Sequence, residues 1–340
     1  MTSTPLLSVF MPTCNGARYV REALESVIDN GFDDLEIVVL DDGSTDATVE
    51  IVGSIRHPAI RLARNPSNLG VAETRRRGVP LLRGRYLALL DHDDIAVAGR
   101  FHAQVDRLEC ADGPDIIGGA IESFGDVKGV KHYFASNAEI RAALLFNASL
   151  ANPAVCMKVA PLREGVIGYR SGDGPAAEDY ALWVDAMLAG LKFENLDRVV
   201  TRYRWHAASL TRTVFNEMLM CAMRVRRRVA DAYFPDLDEV EREALVNAIS
   251  GNFESFPIWR EGVYALSRAA LSAGAIPEID SALMMRLLAE HLLRLIADAR
   301  KRGLVGFDQL ETMVESNSYF EQWRAADNGA LDIRIMALLN

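Results

Sequence analysis

The stretch LEIVVLDDGSTDAT, Leu35 to Thr48, decides the reading of the fold. Its first six residues run apolar and β-branched without the alternation of a half-exposed strand, so they read as a strand buried on both faces. DDGSTDAT then supplies turn residues and helix-capping types, and TVEIVGSI continues as a helix. Upstream, LLSVFM repeats the pattern, closed by PTCNG and followed by ARYVREALESVIDNG. There Val20, Ala23, Leu24, Val27 and Ile28 fall at helical spacing, with Gly31 at the C′ position. Downstream, IRLAR reads as a strand, VAETRRRGVPLL as a helix and RYLALL as a strand. Strands of this kind separated by helices make a parallel sheet covered on both faces, a doubly wound α/β unit over the first hundred residues.

The middle is less regular. DIIGGAIESFG and GVKHYFA read as strands, NAEIRAALLFNASL as an amphipathic helix, and NPAVCMKV as a loop entering a strand. AAEDYALWVDAMLAG carries Leu182, Trp183, Ala186 and Met187 on one helical face, and RVVTRYRWH reads as a last strand. Past a boundary near Leu210–Thr213 helical patterns dominate. In SALMMRLLAEHLLRLIADARKRG, the residues Arg286, Glu290, Arg294 and Asp298 mark a solvated stripe. The expected domains are 1–210 and a helical region at 211–340, with the first divided near residue 100.

The chain has 340 residues and a net charge of -10, with half of its residues hydrophobic and a quarter charged. That is an ordinary globular composition, and it leaves no cationic excess for a nucleic-acid partner. Arginine is concentrated locally instead, in TRRRG at 74–78 and RVRRR at 224–228. The cysteines Cys14, Cys110, Cys156 and Cys221 form no metal-ligand spacing, which fits free thiols in a reducing compartment. The N-terminus lacks the pattern of a signal peptide, and no apolar run is long enough to span a bilayer. A cytoplasmic protein is expected, with peripheral contact at the inner face of a membrane open to it.

In open α/β sheets ligands bind beyond the carboxyl ends of the strands. Three strands here end in unusual polar residues: Pro12-Thr13-Cys14-Asn15, Asp41-Asp42-Gly43-Ser44 and Asp91-His92-Asp93-Asp94. Each group has a plain structural reading as caps for the next helix, Asp93 or Asp94 capping IAVAGRFHAQV among them. Together at one sheet edge they suggest a ligand with hydrogen-bonding rings and a charged tail. Clustered carboxylates suit Mg²⁺ or Mn²⁺, whose usual remaining partner is a phosphate that Arg75 could also meet. Neither a GxxxxGK[ST] loop nor a GxGxxG fingerprint follows the first strand.

The blocks SVFMPTCNGARYVREALESV, EIVVLDDGSTDAT, NLGVAETRRRG, GRYLALLDHDD and AEDYALW stand in the order and spacing that resemble family-2 glycosyltransferases of the GT-A fold. The likeness runs from about Leu6 to His206. It implies a doubly wound mixed sheet followed by an all-helical C-terminal region, and an inverting transfer from a nucleotide diphosphate sugar, UDP-linked, to an acceptor hydroxyl. Pro12, Thr13, Asn15 and Asp42 would line the base pocket, with Arg75 near the nucleotide. Asp91-His92-Asp93-Asp94 resembles the DXD signature: Asp93 or Asp94 would touch Mn²⁺ or Mg²⁺, and a neighbour would bind the ribose.

By the same resemblance Asp179 matches the general base, with the GDGPAAE loop as an acceptor-side wall and Glu178 beside it on the acceptor side. Trp183 would pack beneath the acceptor sugar or serve as a core aromatic. His206 would help bind the metal or diphosphate, or be a loop histidine. The setting implied is surface polysaccharide or glycoconjugate synthesis on a saccharide or lipid-linked acceptor, with the C-terminal helices open to homo-oligomerisation. Cys14 departs from the aromatic residue that relatives usually carry to stack on the base. The alternatives are a sugar-phosphate nucleotidyltransferase and a noncatalytic sugar-nucleotide-binding scaffold.

Overall fold

The computed structural model describes residues 4–170, 176–206 and 215–306, with the single residues 309 and 322. The chain divides into two compact units, Met1–Ile140 with Ala148–Cys221, and Arg141–Asn147 with Ala222–Asn340.

In the first unit, strands β1 (Leu7–Thr13), β2 (Leu35–Asp41), β3 (Ile60–Arg64) and β4 (Tyr86–Leu89) alternate with helices α1 (Val20–Ile28), α2 (Thr48–Ser54) and α3 (Val71–Gly78). All four strands pair in parallel, in the order β3-β2-β1-β4. Alternate residues of β1 and β2 (Leu7, Val9, Met11, Ile37 and Val39) join α1's Val20, Leu24 and Val27 in one fully buried core. The continuous apolar runs thus do what they predict, covering both faces of a parallel sheet.

The sheet becomes mixed beyond β4. A short strand β5 (Ile95–Ala96), helix α4 (Arg100–Glu109), and strands β6 (Ile116–Gly125) and β7 (Gly129–Lys131) follow, then helix α5 (Asn137–Ala143). Strand β8 (Cys156–Lys158) lies antiparallel to both β4 and β6, and helices α6 (Ala160–Arg163) and α7 (Glu178–Leu188) precede β9 (Phe193–Trp205). β9 runs parallel to β6 and carries β5 at its far side.

Several local expectations change here. IAVAGRFHAQV is a two-residue strand and then a helix whose N-cap is Gly99 at φ 72°, so neither Asp93 nor Asp94 caps it. GVKHYFA pairs only over Gly129–Lys131, because the carbonyls of Phe134 and Ala135 accept instead from the side chain and backbone N–H of Asn195. The helix expected over NAEIRAALLFNASL ends at Ala143; Leu144–Phe146 stay buried but continue only as turns, with Leu144 N–H donating to the Arg141 carbonyl and Phe146 N–H to the Ala143 carbonyl.

The second unit is helical: α8 (Phe215–Tyr233), α9 (Glu239–Ser250), α10 (Phe256–Ser272) and α11 (Ser281–Lys301). α9 opens on a capping box between Asp238 and Glu241, and Gly251 closes it at φ 67°. Along α11, Leu288, Leu292, Leu295 and Ile296 are buried, while Arg286, Arg294 and Asp298 are exposed and Glu290 is half-buried. The segment proposed as the domain boundary, Leu210–Thr213, lies outside the described residues.

Candidate active site

The carboxyl ends of β1 and β2 are laced to each other. Asp42 N–H donates to the Thr13 carbonyl at 2.7 Å, Asn15 N–H to Ser44 Oγ at 2.8 Å, and Thr45 N–H to Asn15 Oδ1 at 2.9 Å. Asn15 takes φ 51°, the left-handed region that Asn tolerates better than most residues. Asp42 is buried, and its carboxylate accepts from Asn65 Nδ2, Leu69 N–H and Gly70 N–H, each at 2.9 Å. It thereby fixes the NLG turn that leads into α3. Asp41, also buried, accepts from Ser44 N–H and pairs with Arg64 Nε at 3.0 Å. None of these side chains caps α1 or α2, whose N-caps are Tyr19 and Ala47. Capping therefore does not account for them.

Pro12 and Thr13 are buried at the end of β1, and the Thr13 hydroxyl has no partner among the described residues. His92 packs over Gly16: a Cβ there would lie 2.3 Å from its ring. Cys14 receives a hydrogen bond from Asn68 Nδ2, and burial raises its thiol pKa.

Each of the three carboxylates after β4 has a partner of its own. Asp91 Oδ1 meets Arg75 Nη2 at 3.0 Å. Asp93 Oδ2 meets His206 Nε2 at 2.9 Å. Asp94 Oδ1 accepts from the Arg204 N–H at 2.8 Å. Burial, followed by repulsion from Asp93 and Asp91, raises Asp94 well above the ordinary carboxylate range. Arg204 also donates through Nε to the Asp93 carbonyl and through Nη2 to Glu22, and its guanidinium lies 4.6 Å over the Tyr19 ring. This arginine at the end of β9 organises the acidic turn, and the sequence reading did not single it out. The alternating polar pattern of TRYRW was the available signal. A groove of about 320 Å³ beside His206 is lined by Arg18, Tyr19, Gly125, Asp126, Arg204 and Trp205.

Arg75 joins this turn to α7. It is buried, and its Nη1 lies 2.5 Å from Glu178 Oε1. With its amide oxygen turned to the guanidinium, Asn152 accepts from Nη2 at 2.7 Å and Nη1 at 3.0 Å. Burial opposes the charge on Arg75, but Glu178 and then Asp91 outweigh it and hold the guanidinium more basic than usual. Burial in turn pushes the Glu178 carboxyl up to about 7, with Arg75 drawing it down and Asp179 adding to the rise. Asp179, half-buried at the start of α7, accepts from the Tyr180 N–H at 2.7 Å. Its pKa is also raised by burial, against the pull of Arg75. Tyr169 is a second residue missed at the sequence level. Its buried hydroxyl has no partner among the described residues, and Arg75, Glu178, Asp179 and Asp91 are the charges it feels.

Trp183 requires a correction. It is 0% exposed, so no face of its ring is open to a sugar, and it serves as a core aromatic. In the GDGPAAE loop, residues 172–175 lie outside the described residues.

Asp93 and His206 are close enough to share one ion, and a carboxylate oxygen with an imidazole nitrogen is a donor pair that Mn²⁺ accepts. Among the described residues no group of three or more His, Cys, Asp or Glu could hold a metal by itself.

The sequence profile described as Glycosyl transferase family 2 matches residues 8–156. An Escherichia coli protein named UDP-Glc:alpha-D-GlcNAc-diphosphoundecaprenol beta-1,3-glucosyltransferase is 31% identical over 222 residues, 63% of this chain and 83% of that one. A Haemophilus influenzae protein described as a glycosyltransferase is 28% identical over 243 residues, 67% of this chain and 74% of that one. S. aureus TarS 1-349, solved in complex with UDP-GlcNAc, shares the fold with a TM-score of 0.60 at 17% identity, covering 87% of this chain and 92% of that one.

Proposed function

The chain belongs to glycosyltransferase family 2 and is a nucleotide-sugar glycosyltransferase; from that premise we propose an inverting transfer from a UDP-linked sugar to a saccharide hydroxyl, with Asp179 as general base. The observation that carries this reading is the Arg75 bridge. One guanidinium binds both Asp91 in the acidic turn and Glu178 beside Asp179, so the donor signature and the base are held by a single rigid contact. Family membership favours transfer over the nucleotidyltransferase and the scaffold.

The acceptor hydroxyl must lose its proton as it attacks the anomeric carbon, and a positioned carboxylate takes it, typically for a gain of about 10²–10⁴-fold. Asp179 is suited to that role because burial raises its pKa above that of an ordinary aspartate and its geometry is fixed by the Tyr180 N–H. Glu178 is already committed to Arg75. Its part is to hold the arginine and to face the acceptor side of the site.

Pro12, Thr13, Asn15 and Asp42 form the base-side wall, with Asp42 keeping one lone-pair direction for the base after its three internal bonds. Asp91 and His92 would face the ribose side, and Arg75 would act on the nucleotide through Asp91. A Mn²⁺ or Mg²⁺ ion would be held by Asp93 and His206, with Asp94 buried behind them, and would supply Lewis-acid stabilisation of the leaving diphosphate.

Catalysis is assigned to 1–210, with 211–340 as a helical region that offers an oligomer or membrane contact. The relative acting on a diphosphoundecaprenol-linked sugar supports a lipid-linked saccharide acceptor in surface glycan synthesis, at the cytoplasmic face of a membrane. Among the described residues no helix is long and apolar enough to cross one.

Two assays test this reading. Purified protein given UDP-sugars should release UDP and not pyrophosphate. In calorimetry with UDP and Mn²⁺, Asp93→Ala should abolish the metal-dependent part of binding while the protein stays folded. Unchanged affinity in that variant would remove the metal assignment.

A further inference from the structure

With Trp183 enclosed, the acceptor sugar needs another aromatic surface, and β9 provides one. Ladder partners share a face of the sheet. Tyr203 stands opposite Ser123 and Trp205 opposite Gly125, while on β7 Gly129 stands opposite Ser123 and Lys131 opposite Ile121. One face therefore carries Tyr203 and Trp205 over a floor of Ser123, Gly125 and Gly129, with Lys131 and Tyr133 at its border.

The intervening residues, Arg202 and Arg204, turn the other way and lay their guanidinium groups over Phe124 at 4.5 and 4.3 Å. The strand thus sorts its cations to one side and its rings to the other. The Tyr203 and Trp205 rings meet edge to face at 5.7 Å, and Trp205 Nε1–H donates to Ser123 Oγ at 3.2 Å, which fixes the indole plane. Lys131 Nζ lies 4.6 Å over the Tyr133 ring.

The floor is kept low by backbone geometry. Gly125 sits at φ 89°, and a Cβ there would lie 2.4 Å from the Trp205 carbonyl oxygen. The rings themselves are anchored, since Tyr133 and Tyr203 pack against the small apolar cluster Ile121, Ala151, Ala154 and Val200. All three aromatic residues are half-buried.

The strip lies within electrostatic reach of Asp179. Burial raises the Tyr133 hydroxyl pKa, and the charges that add to this are those of Tyr203 and Asp179. Half-buried rings match the apolar C–H face of a sugar ring, whose hydroxyls need a polar rim.

We propose that the Tyr133–Tyr203–Trp205 face is the acceptor platform, on which a pyranose ring stacks so that one of its hydroxyls points at Asp179. The assignment rests on the transferase reading with Asp179 as base, and its test separates the two.

Full-length protein saturated with UDP is titrated with methyl glucoside, methyl galactoside and methyl N-acetylglucosaminide, followed by saturation-transfer NMR. At least one pyranoside should bind, with saturation strongest on its C–H face. Trp205→Ala and Tyr203→Ala should each weaken that binding by roughly tenfold, with UDP affinity by calorimetry unchanged. Tyr203→Phe should bind as the parent does. Absence of binding by all three sugars, unchanged binding in both alanine variants, or an equal loss of UDP affinity would overturn the platform. Asp179→Asn belongs to the other reading: it should bind the pyranoside normally and fail to transfer. If it transferred normally, the base assignment would fall while the binding result stood.

Discussion

At the carboxyl ends of β1 and β2 most polar side chains are held internally: Asp42 by three donors, Asn15 by Thr45, Asp41 by the Ser44 N–H and Arg64. At the carboxyl end of β9 the surface is of a different kind, with half-buried rings over small residues beside an exposed β7. A nucleotide diphosphate is the same in every donor of one base, so its wall can be rigid and internally bonded. Acceptor sugars differ between enzymes, and shape with C–H stacking can be altered one ring at a time. On the proposed roles, the contrast separates a fixed donor edge from an adjustable acceptor edge.

The largest effect should come from the group proposed as general base. Asp179→Asn keeps the side chain's size and its acceptor oxygen for the Tyr180 N–H, but it cannot take a proton. Transfer should fall by about 10²–10⁴-fold, with UDP affinity and thermal stability near those of the parent. Steady-state kinetics with calorimetry checks this. A variant that kept its transfer rate would move the base elsewhere, with Glu178 first in line.

Next comes the Arg75 bridge. Arg75→Met would leave Glu178 and Asp91 facing each other without their shared cation. Breaking a buried pair by removing one partner costs about 3–5 kcal/mol. Denaturant melts above pH 7, where Glu178 is ionised in the parent, should show a loss of that order in Arg75→Met, and a smaller one in the double variant Arg75→Met/Glu178→Gln, where the stranded charge is gone. Equal losses would mean that the bridge contributes packing only.

The polar carboxyl ends of the parallel strands were legible in the sequence and the faces of β9 were not, for physical reasons. Continuous apolar runs ending in PTCN, DDGS and DHDD mark strands and their ligand-side ends together, because a parallel sheet places all its carboxyl ends on one side. The likeness to a known family then covered the same blocks. Nothing comparable marks Arg204, Tyr133 or Tyr203. Their role depends on which face of β9 each occupies, and the β6–β9 ladder shifts register between Gly119 and Ile121, so alternation alone does not fix the face. The pairing of Arg75 with Glu178 spans 103 residues. A fully enclosed Trp183 and an open one also read identically in EDYALW.

A third test uses pH. Burial lifts Glu178 to about 7 from the ordinary value of 4.5, so the native state holds its proton in a range where the unfolded chain has released it. For a carboxyl raised in this way, stability is greatest below the unfolded pKa and falls as pH rises through the folded value. The melting temperature should therefore decline between about pH 4.5 and 7 and level off above. Glu178→Gln should flatten that slope, although Asp179, also raised, would retain part of it. A slope unchanged in Glu178→Gln would show that Arg75 keeps this carboxyl ionised throughout.

The smallest effect probes whether the donor edge is rigid by need. Asn15 holds φ 51° and accepts from both Thr45 N–H and Thr45 Oγ1. Asn15→Gly keeps the left-handed backbone but removes those bonds, a change of about 1 kcal/mol. Asn15→Ala removes the same bonds but keeps a Cβ in a region that costs roughly 1–2 kcal/mol for an L-residue. Alanine should therefore melt lower than glycine, and both lower than the parent. UDP affinity distinguishes backbone from side chain. If Asn15 serves the base only by shaping the loop, glycine should bind UDP better than alanine. If the amide itself touches the base, both variants should lose affinity equally. Neither substitution should change pyranoside binding at Trp205, and a loss there would mean that the two edges are coupled.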